Sequence, residues 1–522
     1  MKSSSRIAIN TAATYTRSLL GVGLALFSSR WILLALGATD FGLFQVVGSL
    51  IVFLSFFNAV MITSAARHFA FSIGKGDIED INHWFNTSLC IHLILPFVLI
   101  AIGWPIAEYV VRNVLAIPAN RITACVTVFR ISLLGAFINM ASIPFVAMFT
   151  AKQRIAEVAF WGLLQMILIF LLAFRLTTVS SDRLLFYAIG MVSINALIDI
   201  SKACRAHYLF TECKVRLSSG FDWIRFKALL SFAAFTLIGR SGGMLRNQGS
   251  SILINLHFGP VVNAAYGIAN QVSVQTAALS AALMGAIAPE ITAREGRGQR
   301  DSMISLSSRA SKFGTLLVLL FGIPFILEAD YVLKLWLVRP PMYAAVLCQL
   351  MMATFIADKL AAGYMLAVNA HGKIAAYQAT VGVLLLMTLP LVWLLLHMGM
   401  PPAAVGVAFV IVQVLCSVGR VLWVRVLFNV PVKKWIYDVV RPCAMVAVAG
   451  IALGAVPRVT LSPSFTRLSL VCFCAVGSMI LACWWIALSN DEQHFLKINL
   501  RTAARRLFES FKRFQAKFRV VR

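Results

Sequence analysis

Apolar residues run in unbroken stretches of about twenty, charged residues are confined to the gaps between them, and the pattern recurs along nearly the whole chain. A helix of about 20 apolar residues crosses the ~30 Å hydrocarbon layer of a bilayer. The pattern predicts fourteen crossings, near residues 10 to 36, 41 to 65, 84 to 110, 122 to 149, 155 to 176, 184 to 204, 228 to 257, 261 to 288, 311 to 329, 342 to 369, 374 to 397, 403 to 428, 436 to 457 and 464 to 489. A closed β-barrel would instead show alternating segments of about ten residues. The expected fold class is therefore an all-α polytopic membrane protein with about 14 transmembrane helices.

Composition agrees with this. Of 522 residues, 60% are hydrophobic and 13% charged, and the mean hydropathy is +0.85, whereas soluble chains carry about 25% charged residues. The ten cysteines are scattered, mostly inside apolar runs and without metal-type spacing. They read as small hydrophobes, and no metal or other cofactor is expected. The amino-terminal stretch MKSSSRIAINTAATYTRSLL has Arg17 inside its apolar run and no small-residue cleavage site. It reads as a first span, not as a removed signal peptide.

The net charge of +26 would prompt a nucleic-acid reading in a soluble chain. Its distribution points elsewhere. With the first residue in the cytoplasm, thirty-two of the 46 Lys and Arg fall in inside loops, among them Lys312, Arg420 and Arg425, and eight fall outside. That asymmetry is the positive-inside rule, and it predicts an even number of crossings with both termini cytoplasmic. No nucleic-acid partner is expected. The remaining six, Arg17, Arg30, Arg130, Arg240, Arg246 and Lys359, lie inside spans. No loop is long enough for an independent catalytic domain, so the chain does not read as an enzyme.

The chain also repeats itself. GATDFGLF at 37 to 44 and GPVVNAAY at 259 to 266 each place Gly first and an aromatic residue seven positions on, between two spans. Gly74-Lys75-Gly76 and Gly296-Arg297-Gly298 follow at the same displacement of 222, and TAKQRIAEV (150 to 158) pairs with NAHGKIAAY (369 to 377) at 219. A shift of about 220 residues over six crossings predicts two six-helix bundles in the same orientation, related by an axis along the membrane normal. The expected organisation is 1–215 and 216–430 for the two bundles, 431–490 for two further C-terminal helices, and 491–522 for a basic amphipathic cytoplasmic tail. Paired bundles with a cleft between them are transporter architecture.

LGATDFGLFQVVGSL (36 to 50) and LINLHFGPVVNAAYGIANQVS (253 to 273) resemble the turns after the first span of each bundle in bacterial repeat-unit (O-antigen) flippases. These form the polysaccharide-transporter branch of the multidrug/oligosaccharidyl-lipid/polysaccharide (MOP) exporter superfamily. The resemblance covers roughly residues 5 to 430. It implies two six-helix lobes around a central cavity in the bacterial inner membrane. The function it implies is alternating-access flipping of a polyprenyl-pyrophosphate-linked oligosaccharide from the cytoplasmic to the periplasmic leaflet. Two other branches are alternatives: a lipid II flippase, and a cation-coupled small-molecule exporter.

The intramembrane cations fit an anionic headgroup. A charge within a span is costly and tends to face a wet interior, and the planar fork of Arg meets phosphate oxygens two at a time. Arg17, Arg30, Arg130, Arg240, Arg246 and Lys359 are therefore the candidate headgroup-binding residues, with snorkelling to the interface as the competing reading for Arg17 and Arg30. A coupled antiporter needs a buried carboxylate that titrates or binds an ion, for which Asp358 is the candidate. Asp358 and Lys359 are adjacent and point to different helix faces, so at least one needs another partner. Asp199 with Lys202, and Glu157 with Arg154, have the spacing of satisfied pairs, and Glu290 is expected to be solvated. Pro96, Pro105, Pro144, Pro324 and Pro390 interrupt spans as kinks or bending points.

In the tail, Leu500, Ala504, Leu507, Phe511, Phe514, Phe518 and Val521 form one apolar face opposite Arg501, Arg505, Arg506, Lys512, Arg513, Lys517 and Arg519. This reads as an interfacial helix on anionic membrane lipids, with docking to glycan polymerase machinery and a disordered tail as the other readings. Asn86-Thr87-Ser88 matches a glycosylation sequon but falls at a cytoplasmic span edge.

Overall fold

In the computed structural model, residues 3–152, 154–216, 222–372, 375–490 and 492–494 are described; within them, the side chains of 3–19, 51–57, 232–240, 278–283 and a few further positions are not. Of the tail, the described residues include only 492–494. All regular structure among them is helical: α1 (Ser3–Lys75), α2 (Ile78–Asn113), α3 (Ile122–Ala151), α4 (Ile155–Leu176), α5 (Arg183–Leu209), α6 (Trp223–Gly296), α7 (Arg300–Leu337), α8 (Ala344–Lys359), α9 (Ala362–His371), α10 (Ala375–Leu386), α11 (Thr388–His397), α12 (Ala403–Phe428), α13 (Val432–Trp435), α14 (Arg441–Thr460) and α15 (Phe465–Ala482). Backbone groups that find no water in hydrocarbon must bond within their own segment, which leaves helices as the solution here.

Eleven of these stretches are long and apolar enough to cross a membrane, or twelve if α8 and α9 form one bent span. The expected fourteen would require α1 and α6 each to count twice. Both are continuous runs of more than seventy residues broken at one position, Gly37 (φ 73°, ψ 171°) and Gly259 (φ 76°, ψ −172°). That region of backbone space is essentially open to glycine alone. These are the glycines that lead the two repeated motifs, so the same residue makes the same break 222 positions apart. The second repeated pair behaves likewise: Gly76 (φ 76°) and Gly298 (φ 73°) cap α1 and α6 with N–H bonds to the carbonyl three residues back, at 3.1 and 2.9 Å.

The first turn is fixed from outside. Arg121, ahead of α3, donates to Asp40 just past the Gly37 break and to Asp182, the N-cap of α5, the latter at 2.8 Å. Gly42 lies so close to Pro260 that a Cβ there would overlap the Pro260 carbonyl. Asn263 Nδ2 donates to the Gly42 carbonyl at 3.2 Å, which ties the two motifs together.

The helices pack as two compact units, a partition of the chain that differs from the repeat boundaries. One comprises residues 1–282, 332–358 and 371–423 and the other 283–331, 359–370 and 424–522. In the first, α1 packs on α3 and α4, and α3 packs on α2 and α5. A buried polar chain crosses it: Asn58 donates to Asn139 at 2.7 Å, Asn139 to Asp199 at 2.7 Å, and Lys202 to Asp199 at 3.1 Å. Glu157 meets Arg154 and Arg205 at 3.3 and 3.1 Å. Glu290, expected to be solvated, is 45% exposed and also bonds Arg294 at 2.9 Å. In the second unit α14 packs on α15, and Arg467 of α15 reaches the fully buried Glu328 at 2.6 Å. Glu328 sits where α7 leaves helical geometry, four residues after Pro324.

At the end of α5, Asn82 and Asn86 hold the 211–216 segment by hydrogen bonds to the Glu212 and Lys214 carbonyls and the Arg216 N–H. The sequon asparagine is thus a buried structural residue. Lys152 Nζ donates to Glu212 at 2.6 Å. Burial alone would raise the Glu212 carboxyl, but the Lys152 hydrogen bond and charge outweigh it, and its pKa lies below the usual value.

Two outcomes follow. Gly37→Ala and Gly259→Ala meet open space but forbidden backbone, and each should lower stability by about 1–3 kcal/mol. Gly23→Ala and Gly48→Ala, in open helical positions, should be neutral or better; thermal unfolding in detergent separates the two sets. Because the folded pKa of Glu212 lies below its unfolded value, its pairing with Lys152 stabilises the fold above about pH 4.3 and fades as pH falls below that. Glu212→Gln should remove that part of the acid sensitivity in melting curves measured from pH 7 down to pH 3.

Candidate functional site

In the first unit, α6, α8, α10 and α12 enclose a cavity of about 250 Å³. Met351, Thr354, Phe355 and Asp358 recur on α8 at spacings of three and four, and Gln413 and Arg420 are two turns apart on α12. Each set therefore lies on one helix face. From α6, Arg246 and Asn247 enter ahead of the Gly259 break and Asn270 and Ser273 after it.

The charges are wired through one amide. Arg246 Nη1 donates to Gln413 Oε1 at 3.1 Å, and Gln413 Nε2 donates to Asp358 Oδ1 at 2.9 Å. Arg420 Nη1 donates to the same oxygen at 2.8 Å and to the Asp358 carbonyl at 3.2 Å. Ser417, one turn before Arg420, donates to the Ala357 carbonyl at 2.7 Å and pins α12 to α8. The Arg246 guanidinium lies 4.7 Å from the centre of the Phe409 ring, a cation–π contact that supports a desolvated cation. Tyr266 stands edge-on to the same ring at 6.3 Å and bonds the Asn247 carbonyl at 3.0 Å.

Two guanidinium groups thus face one carboxylate, and they are held differently. Arg420 is 7% exposed and anchored by a charged partner, which makes its bonds the stronger ones. Arg246 is bonded to neutral amides alone among the described residues. An incoming phosphate or carboxylate could therefore exchange with amide bonds at Arg246 without breaking an ion pair.

A second cavity of about 600 Å³ in the same unit is lined by α1, α4, α5 and α6, with Ser28, Ser29, Gln45, Gln271 and Gln275 among apolar side chains. Among the described residues its lining carries no charge. Gln271 bonds Ser29 and the Ala25 carbonyl, so this space suits neutral hydroxyl-bearing or apolar groups.

The sequence candidates are thereby dispersed. Arg246 and Asp358 come together in the smaller cavity. Lys359 lines neither cavity. Arg130 sits over Trp104 at 5.3 Å and pairs with Glu108 at 3.4 Å, away from both cavities. Arg30 is half-buried and lines neither cavity. The side chains of Arg17 and Arg240 lie outside the described residues. Arg420, assigned from sequence to a cytoplasmic loop, is instead the buried partner of Asp358, and Lys312, assigned likewise, is buried on α7. The seven-residue spacing of Gln413 and Arg420 was the available signal for the former.

No family model and no curated protein matches the sequence. Solved structures do. A lipid II flippase MurJ in an inward closed conformation aligns over 91% of this chain and 98% of its own length, with a TM-score of 0.65 at 9% identity. The fold is similar to that of solved transporters of the MOP superfamily. An inward-facing multidrug-resistance MATE transporter of that superfamily covers 82% of this chain and 98% of its own, with a TM-score of 0.62 at 16% identity. A MOP superfamily transporter from Pyrococcus furiosus, described by the reverse polarity of its binding pocket, covers 80% and 95%, with a TM-score of 0.56 at 14% identity. At these identities the likeness is one of fold. The neighbours are transporters, not enzymes.

Removing one member of a buried ion pair costs roughly 3–5 kcal/mol, and the partial exposure of Asp358 puts this site at the low end. Asp358→Asn should therefore lower the melting temperature clearly. The double change Asp358→Asn with Arg420→Gln should recover most of the loss, as a double-mutant cycle will measure.

Proposed function

We propose that this chain is a flippase of the MOP type that moves a polyprenyl-pyrophosphate-linked oligosaccharide from the cytoplasmic to the periplasmic leaflet by alternating access. The observation that carries the reading is a half-buried arginine, Arg246, held by exchangeable amide bonds at a cavity, within a fold that matches 98% of a lipid II flippase. A pyrophosphate offers paired oxygens to that planar fork. The uncharged, hydroxyl- and amide-dotted larger cavity has the chemistry to receive sugar hydroxyls or an apolar tail. On this reading the protein resides in the bacterial inner membrane with both termini cytoplasmic, residues 1–215 and 216–430 act as the two halves of the transport cycle, and the basic tail rests on anionic lipid or the glycan polymerase machinery. Arg17, Arg30, Arg130, Arg240 and Lys359 are then secondary contacts along the headgroup's route.

The second reading is a cation-coupled small-molecule exporter, favoured by one observation: the Asp358 carboxylate reaches the same cavity as Arg246. Coupling would use Asp358 as the group that gains or loses an ion while Arg420 and Gln413 take up or release its partner bonds.

Mass spectrometry of the polyprenyl lipid fraction from cells lacking the protein distinguishes the readings. The flippase predicts accumulation of a complete polyprenyl-pyrophosphate oligosaccharide, and the exporter an unchanged pool with altered drug sensitivity. In complementation, Arg246→Ala should abolish glycan export, with Arg246→Lys retaining part of it. Normal export by the Ala variant at wild-type protein level would remove Arg246 from the headgroup site.

A further inference from the structure

The second unit has a cavity of its own, of about 530 Å³, at the ends of three spans: the start of α7, the start of the α13–α14 segment and the end of α15. Among the described residues, four cations line it, Arg309, Lys312, Lys434 and Arg441, against two carboxylates, Asp438 and Glu492. Glu492 is already committed: it accepts from Lys312 at 2.6 Å and lies 3.6 Å from Arg309. Lys312 also donates to the Ala487 carbonyl at 3.0 Å. Neither Lys434 nor Arg441 forms an ion pair with a described residue, and both are exposed.

Two π-helical turns meet at this cavity. Ile436–Val440 lies between α13 and α14, and Cys483–Ala487 ends α15. Tyr437 and Asp438 line the cavity from the first turn, and Ile486 and Ala487 from the second. π-turns are rare and concentrate at functional sites. The first also separates Lys434 from Arg441 and brings both to one space. Met445 and Ile486 line the cavity and are 40% and 44% exposed, continuous in chain position with the exposed apolar residues Val448 and Trp485. The site therefore joins a cationic pocket to an apolar exterior at the level where three spans begin or end, the side that the positive-inside count places in the cytoplasm.

We propose that this cavity binds the headgroup of an anionic phospholipid of the cytoplasmic leaflet, with Lys434 and Arg441 meeting the phosphate and the acyl chains lying along Met445 and Val448. Lys312 and Glu492 form its floor. The proposal is independent of what the protein transports. It differs from tail adsorption because it predicts a stoichiometric, mutable site in the folded membrane domain.

The full-length protein, purified in detergent from nanodiscs containing phosphatidylglycerol and phosphatidylcholine, would be analysed by native mass spectrometry. One retained phosphatidylglycerol per chain is expected. The double variant Lys434→Ala/Arg441→Ala should weaken retention by roughly thirty-fold, at about one lipid-facing cation's contribution each, while Lys433→Ala, an exposed cation outside the cavity, should not. Arg441→Lys should restore most of the binding in the Lys434 background. Added inorganic phosphate that displaces the lipid at millimolar concentration would assign the site to the phosphate group alone and overturn the lipid proposal. Equal retention by wild type and the double variant, or equal retention of phosphatidylcholine, would also overturn it. Unchanged melting temperatures across the set exclude misfolding as the cause of any loss.

Discussion

A charge withdrawn from water inside this helical protein has to be met by another group, and with 20 acidic residues in 522 there are few acids to go round. Asp199 is spent on Lys202, Glu328 on Arg467, Glu212 on Lys152, Glu492 on Lys312 and Asp358 on Arg420. Each pair stitches two segments or two turns at a position where a solitary ion would cost several kcal/mol. What the acids leave over then defines the sites. Arg246 in one unit, and Lys434 with Arg441 in the other, are cations that pair with no carboxylate among the described residues, and each faces a cavity.

The two repeats treat this constraint differently. At the displacement of 219, Asn139 falls opposite Asp358 and Lys202 within one position of Arg420. In the first half a neutral Asn139 bridges to the acid–base pair on α5, whereas in the second the acid itself sits on α8 and the base on α12. The position of the polar link is common to both, while the charge has moved from one helix to the other. At the displacement of 222, Arg246 falls opposite Leu24. The two cavities divide accordingly, one charged and one neutral.

Much of the architecture was legible because membrane burial writes itself in long, simple patterns. The apolar runs, the twin motifs at Gly37 and Gly259 and the capping glycines at 76 and 298 all had a local physical signature: a stretch that must be helical, or a backbone angle that needs glycine. Spacing also foretold the pairs Asp199–Lys202 and Glu157–Arg154, whose partners are three residues apart. The charged cavity was only half legible. Arg246 and Asp358 stood out as ions within spans, but Arg420 and Lys312 sit near span ends, where hydropathy cannot tell a solvated arginine from a buried one. Their partners are 62 and 180 residues away, and no periodicity encodes such a pairing. The partner of Arg130 was hidden for the same reason: its carboxylate, Glu108, is on another helix.

The approach of Gly42 to Pro260 carries one more consequence. Here two turns from distant parts of the sequence meet backbone to backbone, with no side chain on one side to yield. Residue 42 can be only glycine while the second turn keeps its place, and the second turn cannot draw nearer, because nothing is left to trim. The two motifs are therefore locked into a shared evolutionary fate: a change in the bend of either must be answered in the other, although more than two hundred residues of chain lie between them.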